Sequence, residues 1–124
     1  MKTVDELKPV IEYELKTWHR GQERRAEKWA FVEKLFGVEI PPAERNNNNP
    51  YERRMRETIS EMRKAGMLIC SDTKGGGYWW AASINDVVEM SNALRDRAKD
   101  LLVTARELRA EGLREFGGQT RMEL

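Results

Sequence analysis

The chain has 124 residues, with 22 Lys and Arg against 21 Asp and Glu and a formal net charge of +1; that length fits one domain, or one small domain with a long helical extension. Apolar residues make up 40% and charged residues 35%, which describes a folded chain with a thin core rather than a disordered one. The single cysteine, Cys70, excludes intrachain disulfides and cysteine metal clusters, and the single histidine, His19, removes most zinc sites and Ser-His triads.

No apolar run approaches the roughly 20 residues that span a bilayer, and Met-Lys-Thr-Val-Asp-Glu lacks the apolar stretch of a signal peptide. A cytoplasmic protein without metal or cofactor is the expectation. Charge is unevenly distributed. Residues 45–80 hold seven Arg and Lys (Arg45, Arg53, Arg54, Arg56, Arg63, Lys64, Lys74) against four acids (Glu52, Glu57, Glu61, Asp72), a local excess of three positive charges.

In chain order, Val4, Leu7, Ile11, Leu15 and Trp18 fall at helical spacing behind a Thr3/Glu6 capping box. Pro9 disfavours helical geometry at Lys8, so a proper helix start is expected only near Pro9. His19-Arg20-Gly21-Gln22 reads as a break, with His19 a helix-end residue. A second helix over 25–36 places Trp29, Val32, Leu35 and Phe36 on one face and stops at Gly37. Residues 38–49, with two adjacent prolines and four asparagines, form a loop whose Asn46–Asn49 run reads as largely flexible low-complexity chain.

Asn49-Pro50-Tyr51-Glu52 is a strong helix start, with a capping side chain, a first-turn proline and an acid. The helix runs to about Ala65 and stops at Gly66, and Met55, Ile59 and Met62 define its buried stripe. Met67–Ser71 and Gly77–Ala82 then read as two short strands joined by Asp72-Thr73-Lys74-Gly75-Gly76. Trp79 and Trp80 alternate across a strand, so one is expected in the core and the other against a neighbouring helix. Stacking of the outer one on single-stranded bases is the lesser reading. Cys70 reads as a small buried apolar side chain. Ser83 with Asp86 caps a last helix whose heptad is Ile84, Val87, Ser91, Leu94, Ala98, Leu101, Ala105, Leu108, Gly112.

The run Asn49 to Ala82, NPYERRMRETISEMRKAGMLICSDTKGGGYWWAA, resembles the recognition helix and wing of bacterial and phage-type winged helix-turn-helix domains. The resemblance lies in an Arg-rich helix ending Met62-Arg63-Lys64-Ala65-Gly66, an apolar strand ending in Ser, a turn, and a Gly-Tyr-aromatic strand. It extends loosely to two preceding helices over residues 10–36, and departs from the family in the long 37–49 connection. It implies a mainly α chain with a small β-hairpin wing (α+β), a winged helix-turn-helix domain over 1–82; the heptad pattern adds a long helix over 83–116, a dimerisation element if it pairs, and residues 117–124 read as a flexible tail.

It also implies duplex DNA binding by a small bacterial or prophage regulator or replication accessory protein. Opposite the buried stripe of helix 50–65 lie Arg53, Glu57, Ser60 and Lys64, flanked by Arg54 and Arg56. Arg53 and Glu57 suit base edges in the major groove. Arg54, Arg56 and Lys64 suit phosphates, Lys74 sits at the wing tip, and Asn49 and Tyr51 at the helix start complete the surface. Arg63, beside the buried stripe, is expected to be a structural partner of an acid or a carbonyl.

Catalysis is not expected: Lys74-Gly75-Gly76-Gly77 precedes a strand rather than a helix, so no phosphate-binding loop forms. Val87, Leu94, Ala98, Leu101, Ala105 and Leu108 suggest a homodimer coiled coil that would set two winged domains on two half-sites; the alternative is packing on Ile11, Leu15 and Trp18 of the same chain. Gln119, Met122 and Leu124 loosely match the tail motif with which bacterial replication proteins bind the sliding clamp. The competing function is a winged-helix protein-interaction module assembled through its last helix, since fold alone does not fix function.

Overall fold

Thr3 starts the first helix, α1 (Val4–Trp18). Its hydroxyl accepts from the Glu6 amide at 3.2 Å, and Glu6 Oε1 accepts in return from the Thr3 amide at 3.4 Å. This reciprocal cap starts the helix five residues ahead of Pro9, earlier than the proline alone suggests. Pro9 is the sixth helical residue, and it removes one backbone bond on an exposed face. Leu7, Ile11 and Leu15 are buried, whereas Trp18, in line with them by sequence spacing, is exposed at the helix end. The computed structural model describes residues 1–72 and 74–119.

After α1 the break at 19–21 is not idle chain. Trp80 donates its amide to the His19 carbonyl at 2.8 Å, and Gly21 donates to the Trp80 carbonyl at 2.9 Å. A one-turn 3-10 segment (Gln22–Arg24) leads to β1 (Ala26–Glu27), which the sequence pattern assigned to the second helix. That helix, α2, spans Lys28–Phe36. Glu27 both ends the strand and caps the helix, accepting from the amides of Trp29 (3.1 Å) and Ala30 (2.7 Å). Gly37 closes α2 with a left-handed φ of 64°.

Residues 38–49 are tied down rather than loose. Ile40 is buried, its amide donates to Glu33 Oε2 at 2.9 Å, and Arg45 Nε donates to the Ile40 carbonyl at 3.0 Å. Within the Asn run, Asn46 Oδ1 accepts from the Asn48 amide at 2.9 Å. Asn49 then caps α3 (Pro50–Lys64), its Oδ1 accepting from the amides of Tyr51 (3.0 Å) and Glu52 (3.1 Å). The helix ends in a Schellman motif: Gly66 donates to the Arg63 carbonyl and Met67 to the Met62 carbonyl, each at 3.0 Å. Because Met67 is spent on that cap, the next strand starts later than residue 67.

That strand is β2 (Ile69–Ser71), and its hairpin partner is β3 (Gly77–Trp80). The sheet is antiparallel in the order β1-β3-β2, with Ala26 opposite Tyr78 and Cys70 opposite Trp79. A Cβ at Gly77 would collide with the Ala26 carbonyl oxygen, so this glycine lets β1 close on β3. Arg63 Nε donates to the Ile69 carbonyl at 2.8 Å and its Nη2 to Ser71 Oγ at 3.0 Å, pinning the hairpin to α3 as a structural partner.

The core joins Leu7, Ile11 and Leu15 of α1 to Phe31, Val32 and Leu35 of α2, Met55, Ile59 and Met62 of α3, and Trp80 of β3. Trp79, on the opposite face of β3, joins Cys70 and Ala81 in a second cluster. Val87 and Met90 of the last helix, α4 (Ile84–Phe116), pack on that cluster. The compact first unit therefore runs Met1–Met90, past residue 82, and the second unit begins at Ser91. The chain is mainly α with a small three-stranded antiparallel sheet and a long C-terminal helix, a layout compatible with a winged helix. Among the described residues no helix is long and apolar enough to cross a membrane.

Candidate nucleic-acid interface

The stripe Met55, Ile59, Met62 is turned inward and buried, so residues half a turn away on α3 must face out. Arg53, Arg56, Glu57, Ser60, Glu61 and Lys64, with Val4 of α1, line an open groove of about 570 Å³. The four residues Arg53, Glu57, Ser60 and Lys64 thus share one surface, as their spacing suggests, and all four are exposed.

Charge pairing within this surface is unequal. Glu61 lies 3.1 Å from Lys8 Nζ, and Glu57 lies 3.6 Å from Arg54 Nε. The Lys8 ammonium is held protonated beyond its usual range, first by its hydrogen bond to Glu61 and then by that to Asp5. Both acids of the groove are therefore already matched by cations. Arg53 and Lys64, by contrast, have no side-chain hydrogen bond or ion pair among the described residues.

Arg56 is held from below. Glu52, one turn before it on the inner side of α3, is 0% exposed and stands 2.6 Å from Arg56 Nε and 3.3 Å from Lys28 Nζ of α2. The Arg56 contact is close but poorly aligned, and neither carboxylate oxygen accepts a directed hydrogen bond. Attraction between charges is the stronger description of this cluster. Two cations share one carboxylate, which leaves one positive charge over. Arg56 Nη2 also donates to the Asn47 carbonyl at 3.0 Å, tying the Asn run to the helix. No local pattern marks a first-turn glutamate for burial, because acids at that position ordinarily face solvent and the helix dipole.

Other residues nominated from sequence lie elsewhere. The Asn49 side chain is buried and engaged at both ends: Oδ1 caps α3 and Nδ2 donates to the Glu44 carbonyl at 3.1 Å. Tyr51 is half-buried with its ring 5.1 Å from that of Phe36. Arg54 Nη1 donates to the Lys2 carbonyl at 3.0 Å, so it braces the N-terminus against α3. Lys74 is exposed in the hairpin turn, its amide donating to Asp72 Oδ1 at 2.9 Å. Of the residues nominated for a dimer, Val87 packs within its own chain, while Leu94, Ala98, Leu101, Ala105 and Leu108 are exposed. Ile11 and Leu15, the alternative seat for the last helix, are buried in the core formed with α2, α3 and β3. Gln119 is exposed beyond the end of α4; Met122 and Leu124 lie outside the described residues.

Comparison with protein-family models, with curated proteins and with solved structures finds no match.

Proposed function

We propose that residues 1–82 are a winged helix-turn-helix that binds duplex DNA, with α3 as recognition helix and the β2–β3 hairpin as wing, in a small regulator or replication accessory protein and not in an enzyme. The order α1-β1-α2-α3-β2-β3 and the sheet order β1-β3-β2 support the fold reading. One observation carries the functional reading: Arg53, Ser60 and Lys64 are uncovered in an open groove whose two acids are already paired with Arg54 and Lys8. A helix face of that kind meets a polyanion with a local positive excess, although the whole chain is close to neutral. Arg53, near the helix N-terminus, takes a guanine edge, Lys64 and Arg56 take phosphates, and Lys74 on the wing takes a flanking phosphate.

The test is anisotropy of a labelled random duplex with wild type and with Arg53→Ala plus Lys64→Ala. Loss of two phosphate or base contacts predicts a fall in affinity of about tenfold or more, at roughly 1–3 kcal/mol for a good base contact. Equal affinity in both proteins would refute this assignment of contacts.

A second reading is favoured by Glu57, Glu61 and Val4 sharing the same groove: a protein-interaction module that reads a mixed-charge partner surface. Duplex binding that is absent at low salt would favour it.

A further inference from the structure

From Ser91 onward α4 buries no side chain, and Leu94, Leu101 and Leu108 keep 37%, 65% and 74% of their surface exposed. They form a single row, because steps of seven residues return to nearly the same side of a helix. Ser91 before them and Ala98 and Ala105 between them stand on the same face, so large and small residues alternate along the seam.

This pattern discriminates between the two ways in which a second copy can lie against it. In a parallel pair each residue meets its own counterpart. Leucine layers would then hold the helices apart where the intervening alanine and serine layers require them close, and no β-branched residue fills the small positions. In an antiparallel pair each small residue meets a leucine. Read in reverse, the series Ser91, Leu94, Ala98, Leu101, Ala105, Leu108 is complementary to itself. All six layers combine one leucine with one small residue, at a uniform separation.

We propose that α4 pairs antiparallel with α4 of a second copy. Ser91 lies against the partner's Leu108, Leu94 against the partner's Ala105, and Ala98 against the partner's Leu101, each contact recurring through the two-fold axis. The six layers span roughly 25 Å at 1.5 Å per residue and stop short of Val87, which packs on the Trp79 cluster of its own chain. Leu102, 69% exposed and next to Leu101, borders the seam and widens its apolar strip. This pairing does not rest on the DNA-binding reading, and DNA binding by a monomer would leave it untouched.

The test uses the full chain in a Cys70→Ala background, carrying Leu94→Cys or Ala105→Cys, with a thiol cross-linker of about 8 Å. In the proposed register residue 94 is roughly 16 Å along the axis from its own counterpart but level with the partner's residue 105. An equal mixture of the two variants is therefore expected to cross-link to dimer far more than either variant alone. Efficient cross-linking of Leu94→Cys by itself would show a parallel pair and overturn the proposal; so would a monomer by light scattering at 100 µM. As a control on folding, Leu101→Glu on this exposed row should abolish the dimer while leaving the urea midpoint of the first unit unchanged. A Leu101→Glu protein that stays dimeric also overturns it.

Discussion

Glu52 and Arg56 stand one turn apart on α3, and the arginine Nε lies 2.6 Å from a carboxylate that no solvent reaches. Lys28 approaches the same oxygen from α2 at 3.3 Å with 18% of its side chain exposed. A buried charge is tolerated when it is paired, and removing one partner leaves the others uncompensated. Glu52→Gln keeps the volume and removes the charge. Because Arg56 and Lys28 are partly solvated, the expected loss is about 1–2 kcal/mol rather than the larger cost of a fully buried pair. A urea titration that left the midpoint unmoved would contradict the role given to this cluster.

Asn49 and Arg53 are neighbours on one helical turn with opposite predicted phenotypes. Asn49→Ala removes the α3 cap and the bond to the Glu44 carbonyl, and should cost about 1–2 kcal/mol of stability. Arg53→Ala removes an exposed side chain without a partner among the described residues, so stability should stay within about 0.5 kcal/mol while duplex affinity falls. Thermal melts and anisotropy on the same two proteins check both halves.

Arg63 ties the hairpin to α3 through the Ile69 carbonyl and Ser71 Oγ. In Arg63→Ala the part-buried carbonyl loses its donor, for a loss of about 1–3 kcal/mol. Amide hydrogen exchange should accelerate first in Ile69–Ser71 and Gly77–Trp80. Uniform acceleration across the domain would argue that Arg63 serves the whole fold, not the wing.

Burial pushes the Cys70 thiol up to about 11, with Asp86 adding to it, and burial followed by Glu52 also raises the Tyr78 phenol. The folded chain holds both protons more tightly than the unfolded chain. Their contribution is therefore complete below the ordinary thiol value, about 8.5, and is lost as pH rises through about 11 for Cys70. Urea midpoints should fall between pH 8 and pH 11, and less so in Cys70→Ala. At pH 8 a thiol reagent should modify the native protein slowly and the urea-unfolded protein quickly.

Much of the fold was legible because periodicity reports burial directly. Met55, Ile59 and Met62 are buried at helical spacing, and the alternation of Trp79 and Trp80 sends one into the main core and the other under α4. Short pairings carry no such period. β1 is two residues long, and Ala26 and Glu27 are strand only because β3 lies beside them. The Asn run looked loose by composition, yet its order comes from bonds with Glu44 and Arg56. The outward set Arg53, Glu57, Ser60, Lys64 followed from geometry alone. Which charges in that region are already engaged depends on Lys8 brought from α1 and on the burial of Glu52 within α3, which no local pattern reveals.

The most direct test of the DNA-binding reading is the salt dependence of duplex affinity between about 50 and 200 mM monovalent salt. Each phosphate neutralised releases condensed counterions, so log K should fall linearly against log salt with a slope near −0.9 per phosphate contact. Three such contacts, from Arg56, Lys64 and Lys74, predict a slope of about −2.7 for wild type and one shallower by about 1 for Lys64→Ala. A slope near zero, or one that Lys64→Ala leaves unchanged, would contradict the placement of DNA on this face of α3.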